Sequence, residues 1–248
     1  MRPLGYLGKM LTMEKRIREL LGYIAKSSSK EGVRAALVGG AIRDLILNQP
    51  IWDVDVVLEC DAIEFAERYF PDVKKVKYKY YRTCALFFED EVRLDLATAR
   101  EESYPKCADR PIIRPSTIEK DLFRRDYTIN AMASCLRDED LVLGEILDPY
   151  GGRRDLERGI LDVLHNQSFC DDPIRIIRGI RYAVRFGFSF SERCLSLIEE
   201  AKRRDYLSLV SKDRIRDEIG LCRKEPNPSA VFSLARSLLG RDLESYVV

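Results

Sequence analysis

The first half of the chain alternates between apolar residues at helical spacing and short apolar runs. An amphipathic helix places its apolar side chains at i, i+3, i+4 and i+7, and the chain begins with such a set at Ile17, Leu20, Leu21 and Ile24. Further helices are predicted over residues 41–47 and 62–69. Strands are predicted where β-branched and other apolar residues cluster, over residues 35–38, 53–58, 84–88 and 92–97. This order predicts an α/β N-terminal domain.

The second half has a different pattern. Residues 104–115 are rich in proline and charge, which predicts a loop, and from Arg125 onward the pattern becomes mainly helical. The segment Asp-Pro-Tyr-Gly-Gly at 148–152 predicts a turn. Placing the domain boundary there divides the chain into an α/β domain, 1–147, and an all-helical domain, 148–248.

The composition excludes several classes of protein. A hydrophobic fraction of 46% over 248 residues is that of a globular chain and excludes a disordered or fibrous one. No apolar run approaches the roughly 20 residues that cross a bilayer, so no membrane partner is expected. Residues 1–10 lack the apolar segment of a signal peptide, which makes the cytoplasm the expected location. The net charge of +1 gives no indication of a nucleic-acid partner.

The cysteines and the histidine narrow the chemistry. Seven cysteines are spread along the chain without a CxxC pair. An odd number of scattered thiols argues against a disulfide scaffold and against a zinc site, so buried or free thiols are expected. His165 is the only histidine, which disfavours acyl transfer through a Ser-His or Cys-His arrangement.

Three aspartates in predicted strands are candidate metal ligands. Asp53 and Asp55 are two residues apart, so in a strand both carboxylates leave the same face, and Asp95 lies between two leucines in another strand. Mg²⁺ prefers oxygen ligands and keeps positions for water and substrate phosphates. Three such carboxylates would suit two metal ions that assist phosphoryl transfer. A polar sheet edge is the alternative, and the strand order needed to bring Asp95 near the pair is not given by the sequence.

A glycine pair could approach an anionic ligand. Gly39 and Gly40, followed by Arg43, stand between a predicted strand and a predicted helix. Glycine lets the backbone come close to a ligand, and a helix N-terminus attracts an anion. An ordinary tight turn with a solvated arginine is the alternative.

A second nucleotide-binding candidate begins at paired arginines. Arg125 could clamp a phosphate, while Asp126 and Asn130 could form hydrogen bonds with sugar hydroxyls. The same residues could instead begin a helix with solvated charges.

Two basic segments are hidden by the neutral total. Residues 173–204 contain eight basic and three acidic residues, a local excess that is typical of a nucleic-acid surface. Arg175, Arg178 and Arg181 recur there at helical spacing, and Asp172 before a proline is a typical N-cap. Residues 74–82 interleave lysines with tyrosines, which could serve RNA or form an exposed strand.

Together these segments resemble the class II tRNA nucleotidyltransferases (CCA-adding enzymes) and the related bacterial poly(A) polymerases, of the DNA polymerase β-like superfamily. The residues that carry the resemblance lie at 37–44, 53–55, 124–131, 148–156 and 171–178. The resemblance implies an α+β fold, with a nucleotidyltransferase head over 1–147, built as a mixed sheet with flanking helices. An all-helical neck over 148–248 would follow, and the body and tail domains of the family would be absent.

The resemblance also implies a role for each candidate residue. Asp53, Asp55 and Asp95 would bind two Mg²⁺ ions. Gly39, Gly40 and Arg43 would hold the triphosphate of ATP or CTP, and Arg125 and Asp126 would contact the ribose. Asp172 and Arg175 would pair with the incoming base. The remaining members of the implied nucleotide-binding set are Asn130, Arg178 and Arg181. Asp171 departs from the family, which usually has glutamate there.

The implied activity is template-independent addition of C and/or A to the 3′ end of tRNA. A poly(A) polymerase and a non-catalytic nucleotide- or RNA-binding relative are the alternatives. Because body and tail domains are expected to be absent, a homo-oligomer or a partner protein could supply tRNA binding.

Overall fold

The computed structural model describes residues 15–51, 53–90, 92–137 and 143–247. The first ten residues, on which the signal-peptide expectation depends, lie outside the described residues. Within the described part of the chain no helix is long and apolar enough to cross a membrane.

The chain folds into two compact units, which we call the sheet unit and the helical unit. Of the described residues, the sheet unit comprises those up to 101, 113–125 and 130–152, and the helical unit comprises 102–112, 126–129 and those from 153 onward. The chain therefore passes between the units several times, and its last passage follows Gly152.

A seven-stranded mixed sheet forms the centre of the sheet unit. Its strands are β1 Ala35–Val38, β2 Val54–Leu58, β3 Lys74–Tyr78, β4 Thr83–Phe87, β5 Arg93–Thr98, β8 Ala133–Leu136 and β9 Leu143–Leu147. They lie in the order β3-β4-β5-β2-β1-β8-β9, in which β2 and β5 are parallel and the other neighbours are antiparallel. A separate two-stranded ribbon consists of β6 Arg100–Ser103 and β7 Ile112–Pro115.

Among the residues that the structure describes, four helices belong to the sheet unit: α1 Lys15–Lys30, α2 Gly40–Ile46, α3 Ala62–Tyr69 and α4 Ile118–Phe123. The apolar side chains predicted to lie on one face of α1 are all buried. Asp61 begins α3 as its N-cap, because its carboxylate accepts hydrogen bonds from two backbone N–H groups of the first turn. The predicted first strand is confirmed residue for residue.

The predictions for the middle of the chain were wrong in two places. The predicted loop over 104–115 ends in β7, and the region after Arg125, predicted as mainly helical, contributes β8 and β9 to the sheet. β8 is a central strand of four residues, paired on both sides. A buried run this short shows no distinct periodicity, so the sequence pattern could not separate strand from helix.

The helical unit contains α5 Gly152–Arg158, α6 Ser168–Asp171, α7 Ile174–Phe186, α8 Glu192–Arg203, α9 Lys212–Cys222 and α10 Pro228–Leu239. It also holds a two-residue parallel pair, β10 Ile160–Leu161 and β11 Ser189–Phe190. α7 is the most buried of these helices and ends at Gly187, whose φ of +69° favours glycine. The predicted fold class, a mixed sheet with flanking helices followed by a helical part, is confirmed.

The expectation that all cysteines are free was wrong. Cys107 and Cys170 form a disulfide within the helical unit, with their Cα atoms 4.5 Å apart. The remaining five cysteines are free. An odd number of cysteines excludes the pairing of all of them but not a single disulfide. The two partners are 63 residues apart in the sequence, so no local pattern could predict their pairing.

Candidate functional site

The register of the parallel strands β2 and β5 brings together two of the three aspartates predicted to bind metal. Asp55 on β2 lies directly opposite Asp95 on β5, so both side chains project from the same face of the sheet. Asp53 immediately precedes β2 and is exposed. Burial raises the pKa of Asp55; the charges of Asp95 and Asp53 add to this rise, while Arg125 opposes it. Burial also raises the pKa of Asp95, opposed by Arg93, whose Nη2 lies 2.9 Å from its carboxylate.

An open cavity of about 210 Å³ lies beside the two carboxylates. Its lining combines two carboxylates and three guanidinium groups with apolar side chains, so the cavity offers ligands for a cation and donors for an anion. The lining residues are Val38, Asp55, Val56, Val57, Thr83, Asp95, Ala97, Arg100, Arg124 and Arg125.

A buried aspartate that the sequence analysis did not select holds the arginines of this cavity. The Asp121 carboxylate accepts hydrogen bonds from Arg124 Nε at 2.9 Å and from Arg125 Nη2 at 3.2 Å, and the backbone N–H of Arg100 donates to it. Burial alone would raise the pKa of Asp121, but Arg124 and Arg125 hold it below its ordinary value. The available signal was an acid three and four residues before two arginines, which is the side-chain spacing of a helix.

The aspartate carboxylates fit a metal ion whose remaining ligands come from water and from the substrate. No group of three His, Cys, Asp or Glu side chains within the described ranges encloses a metal-binding position. Mg²⁺, however, is usually held by one or two carboxylates together with water and substrate phosphates. Asp55 and Asp95 are partly buried like charges on neighbouring strands, an arrangement that a cation would stabilise. Asp53 could add a carboxylate from the exposed side.

Gly39 adjoins the same cavity, and its conformation requires glycine. Its φ is +70° and its ψ is −133°, a combination that other residues avoid. A Cβ atom at this position would lie 2.7 Å from Arg125 Nη1 and 3.8 Å from Asp55 Oδ2. The absence of a side chain therefore lets Arg125 approach the turn beside Asp55.

Arg43 and Asn130, predicted to contact different parts of a nucleotide, contact each other. Arg43 donates from Nη1 to Asn130 Oδ1 at 2.7 Å, and from Nε and Nη2 to the two carboxylate oxygens of Asp44 at 2.8 and 3.0 Å. Arg43 is only 6% exposed, and Gly40 leaves room for its guanidinium, since a Cβ there would lie 3.3 Å from Nη2. Their contacts with a nucleotide stay predictions; in this structure they brace the glycine turn.

In the helical unit, Asp126 and Arg178 form an ion pair. Arg178 Nη2 lies 3.0 Å from Asp126 Oδ2, and the Tyr182 hydroxyl lies 3.4 Å from the same oxygen. Asp126 is buried, whereas the Arg178 side chain is 41% exposed. The structure thus brings together two residues that the sequence analysis had selected from separate segments.

Asp172 and Arg175 lie at the start of α7, where each already has a protein partner. Pro173, and not Asp172 as expected, is the N-cap of α7. Asp172 Oδ1 still accepts from the Ile174 N–H at 3.3 Å, and Arg214 Nη2 donates to its carboxylate at 3.0 Å. Arg175 is buried and donates to Ser168 Oγ at 2.8 Å. Arg214 is a further residue that sequence reasoning did not select.

The arginines of α7 do not form one solvated face. Arg181 is buried and donates to Glu218 at 2.5 Å and to Glu225 at 2.9 Å. Arg185 also pairs with Glu225. This network joins α7 to α9 and to the segment before α10. Arg181 is therefore engaged inside the helical unit, and its contact with a nucleotide stays a prediction.

Residues 35–162 match the family described as the poly A polymerase head domain. The A-adding tRNA nucleotidyltransferase of Halalkalibacterium halodurans is 36% identical over 225 residues, which are 89% of this chain and 52% of that protein. The chain thus spans about half the length of this relative.

Solved structures show the same similarity. A CCA-adding enzyme in an apo form superposes with a TM-score of 0.83 at 37% identity, covering 92% of this chain and 54% of that one. The Thermotoga maritima CCA-adding enzyme complexed with tRNA_CCA gives 0.80 at 36% identity, covering 93% and 52%. Other similar structures are complexes of CCA-adding enzyme with ATP and with CTP. The family match covers more than half of the chain and coincides with the strands that carry the carboxylates, so this protein belongs to the poly A polymerase head-domain family.

Proposed function

We propose that this chain is the catalytic part of a template-independent RNA nucleotidyltransferase that adds C and/or A from CTP and ATP to the 3′ end of tRNA. The observation that carries the proposal is the juxtaposition of Asp55 and Asp95 beside a cavity lined by three arginines. Transfer of a nucleotide needs both charges in one place, because a metal ion and a triphosphate must be bound together.

The carboxylates of Asp53, Asp55 and Asp95 would hold Mg²⁺. When bound, two such ions would lower the pKa of the attacking hydroxyl and stabilise the leaving pyrophosphate. The chain itself supplies the anion-binding groups. Arg125 Nε is buried and has no hydrogen-bond partner, so a phosphate oxygen would satisfy a donor whose isolation is otherwise costly. Arg124, fixed by Asp121, presents a second guanidinium.

The helical unit would select the nucleotide. Asp172 offers carboxylate acceptors and Arg175 a fork of donors, a combination suited to the hydrogen-bonding edge of a base. Binding would have to compete with the contacts to Arg214 and Ser168. Asp126 and Arg178 would face the ribose. We leave Arg181 out of this set, because two glutamates engage it inside the helical unit.

The names of similar proteins support tRNA as acceptor. The Halalkalibacterium relative is an A-adding enzyme, and a similar structure is complexed with tRNA_CCA. ATP and CTP both occur in complexes of similar enzymes. The proposal includes an oligomer or a partner protein that supplies further tRNA contacts.

The test is incubation of the protein and Mg²⁺ with tRNA ending before CCA, after C and after CC. CTP and ATP are supplied singly and together, and products are resolved at single-nucleotide length. We expect incorporation that stops at or before CCA and is lost in the Asp55→Ala variant. Long A tails on unrelated RNA would identify a poly(A) polymerase instead. Equal incorporation by wild type and Asp55→Ala, or none by wild type, would refute the proposal.

A further inference from the structure

The sheet face that carries Asp55 and Asp95 continues outward to the edge strand β3. We call it the front face. Asp95 lies opposite Ala85 on β4, and Ala85 lies opposite Val76 on β3. Residues directly opposite in neighbouring strands share a face, so Val76 stands in one row with Asp55 and Asp95. β3 is two strands from β5, or roughly 10 Å.

Two neighbouring rows bring further side chains to the front face. In one row, Ala97 lies opposite Thr83, and Thr83 lies opposite Tyr78. Ala97 and Thr83 also line the cavity. In the other, Arg93 lies opposite Phe87, and Phe87 opposite Lys74. The Arg93 guanidinium lies 5.8 Å from the centre of the Phe87 ring.

The outer part of the front face is exposed, aromatic and basic. Tyr78 is 48% exposed, Val76 39% and Phe87 36%, and Lys74 is exposed beside them. Clustered exposed apolar side chains mark interaction sites in soluble proteins. We call this set the front patch; its members are Lys74, Val76, Tyr78, Phe87 and Arg93.

The back face of the same strand serves a different purpose. Lys75 and Lys77 alternate with the front-patch residues, and both turn toward α3. Lys77 pairs with Glu67 of that helix, and Lys75 donates to the carbonyl of Phe70 just after it. Lysines on an edge strand also prevent pairing with other sheets. These roles account for Lys75 and Lys77 but not for Lys74 and the exposed aromatic rings on the opposite face.

We propose that the front patch binds the 3′-terminal nucleotides of the acceptor RNA and leads them to the carboxylates. Exposed rings stack unpaired bases without sequence preference, and neighbouring cations bind the phosphates. The patch is continuous with the cavity through the shared rows, and Arg100, which lines the cavity, lies 5.6 Å from the ring of the exposed Tyr81. The inference deepens the proposed function and rests on it.

The test compares two lysine-to-alanine variants of the same strand on opposite faces. A fluorescent tRNA acceptor minihelix ending in CC is titrated with each protein in the absence of nucleotide. In a separate incorporation assay, the KM for RNA and the KM for ATP are measured. We expect Lys74→Ala and Tyr78→Ala to weaken RNA binding at least fivefold, to raise the KM for RNA alike, and to leave the KM for ATP unchanged. Lys77→Ala is the control and should bind as wild type does. Tyr78→Phe keeps the ring and should bind as wild type too.

Several outcomes separate this inference from the proposed function. If folded Lys74→Ala and Tyr78→Ala bind the minihelix as tightly as Lys77→Ala while wild type incorporates nucleotides, the front patch is wrong and the function stands. If binding depends on the patch but wild type incorporates nothing, the patch stands as an RNA surface and the function fails. If the variants change only self-association in sedimentation, the patch joins two copies of the chain and the inference is overturned.

Discussion

At the scale of single residues, the site depends on the missing side chain of Gly39 as much as on the side chains that line the cavity. Gly39 leaves the space into which Arg125 reaches. Sequence reasoning identified Gly39 as a candidate because of its position between strand and helix. It could not identify the guanidinium that fills the space, because Arg125 is 86 residues away and reaches it only through the fold.

Gly39→Ala should abolish nucleotide transfer while leaving the protein folded. The backbone conformation costs on the order of 1–3 kcal/mol for a residue with a side chain, and the new Cβ would displace Arg125. Gly32→Ala is a matched control, because Gly32 also has a positive φ of +65° but no atom within 4 Å of the added Cβ. Both variants should lose stability in urea unfolding, and only Gly39→Ala should lose activity. Equal activities of the two variants would contradict the assignment.

Asp121 is a positioning residue, and its charge should matter more than its size. It is fully buried and holds two cavity arginines. Asp121→Asn keeps the shape but removes the carboxylate charge with which both guanidinium groups pair, and loss of a buried partner costs about 3–5 kcal/mol. We expect lower stability, and a KM for ATP that rises more than kcat falls.

The control for this variant removes a carboxylate charge at the surface. Glu157→Gln breaks the exposed ion pair with Arg153, which should cost less than about 1 kcal/mol. Steady-state kinetics and urea unfolding of both variants check the prediction. An unchanged KM for ATP in folded Asp121→Asn would show that the arginines hold their positions without it.

At the scale of elements, the sequence predicted those whose signal is local. The first helix, the first strand and the glycine turn follow from spacing within a few residues. β8 was missed because its strand state depends on pairing with β1, nearly 100 residues away, and β9 was missed because it in turn pairs with β8. The same limit applies to α7: the spacing of its arginines was visible, but the glutamates that engage Arg181 come from elsewhere in the chain.

The disulfide should stabilise the helical unit by connecting the loop that contains Cys107 to α6. In the chain-entropy description, closing a loop of 63 residues contributes about 4 kcal/mol. Thiol titration in denaturant should find five free thiols before reduction and seven after it. Dithiothreitol should lower the urea midpoint of wild type but not that of the Cys107→Ser/Cys170→Ser variant. Seven thiols before reduction would refute the bridge.

The buried network of α7 should make stability depend on pH below about 4.5. Burial would raise the pKa of Glu225, but its hydrogen bonds with Arg185 and Arg181 lower it below the ordinary value of 4.5. The unfolded chain therefore binds the proton more readily, so the stabilisation is present above pH 4.5 and is lost as the pH falls through the folded-state pKa. Glu225→Gln should flatten this part of the stability profile measured in urea. A profile that keeps the wild-type slope would assign the acid sensitivity to other groups.

At the scale of the whole molecule, the net charge of +1 hides local excess of both signs. Asp55 and Asp95 gather negative charge at one point of the front face, where Arg93 pairs with Asp95, and Lys74 adds positive charge farther out on the same face. A total near zero therefore does not argue against an RNA partner, because short-range phosphate contacts depend on local charge and are screened over about 8 Å at physiological salt.

The salt dependence of RNA binding measures these local contacts directly. For a single strand, the logarithm of the association constant falls with the logarithm of salt concentration by about 0.7 per phosphate neutralised. Lys74→Ala should therefore reduce the slope by about 0.7, because one contact with the 3′ strand is lost. Lys77→Ala removes the same charge from the same strand but on the back face, where Glu67 already pairs with it, so its slope should equal that of wild type. Fluorescence anisotropy titrations at several salt concentrations distinguish the two cases. The two variants have the same net charge and differ only in the sheet face from which the lysine charge was removed. Equal slopes for both would therefore mean that the RNA phosphates reach the carboxylates by another path.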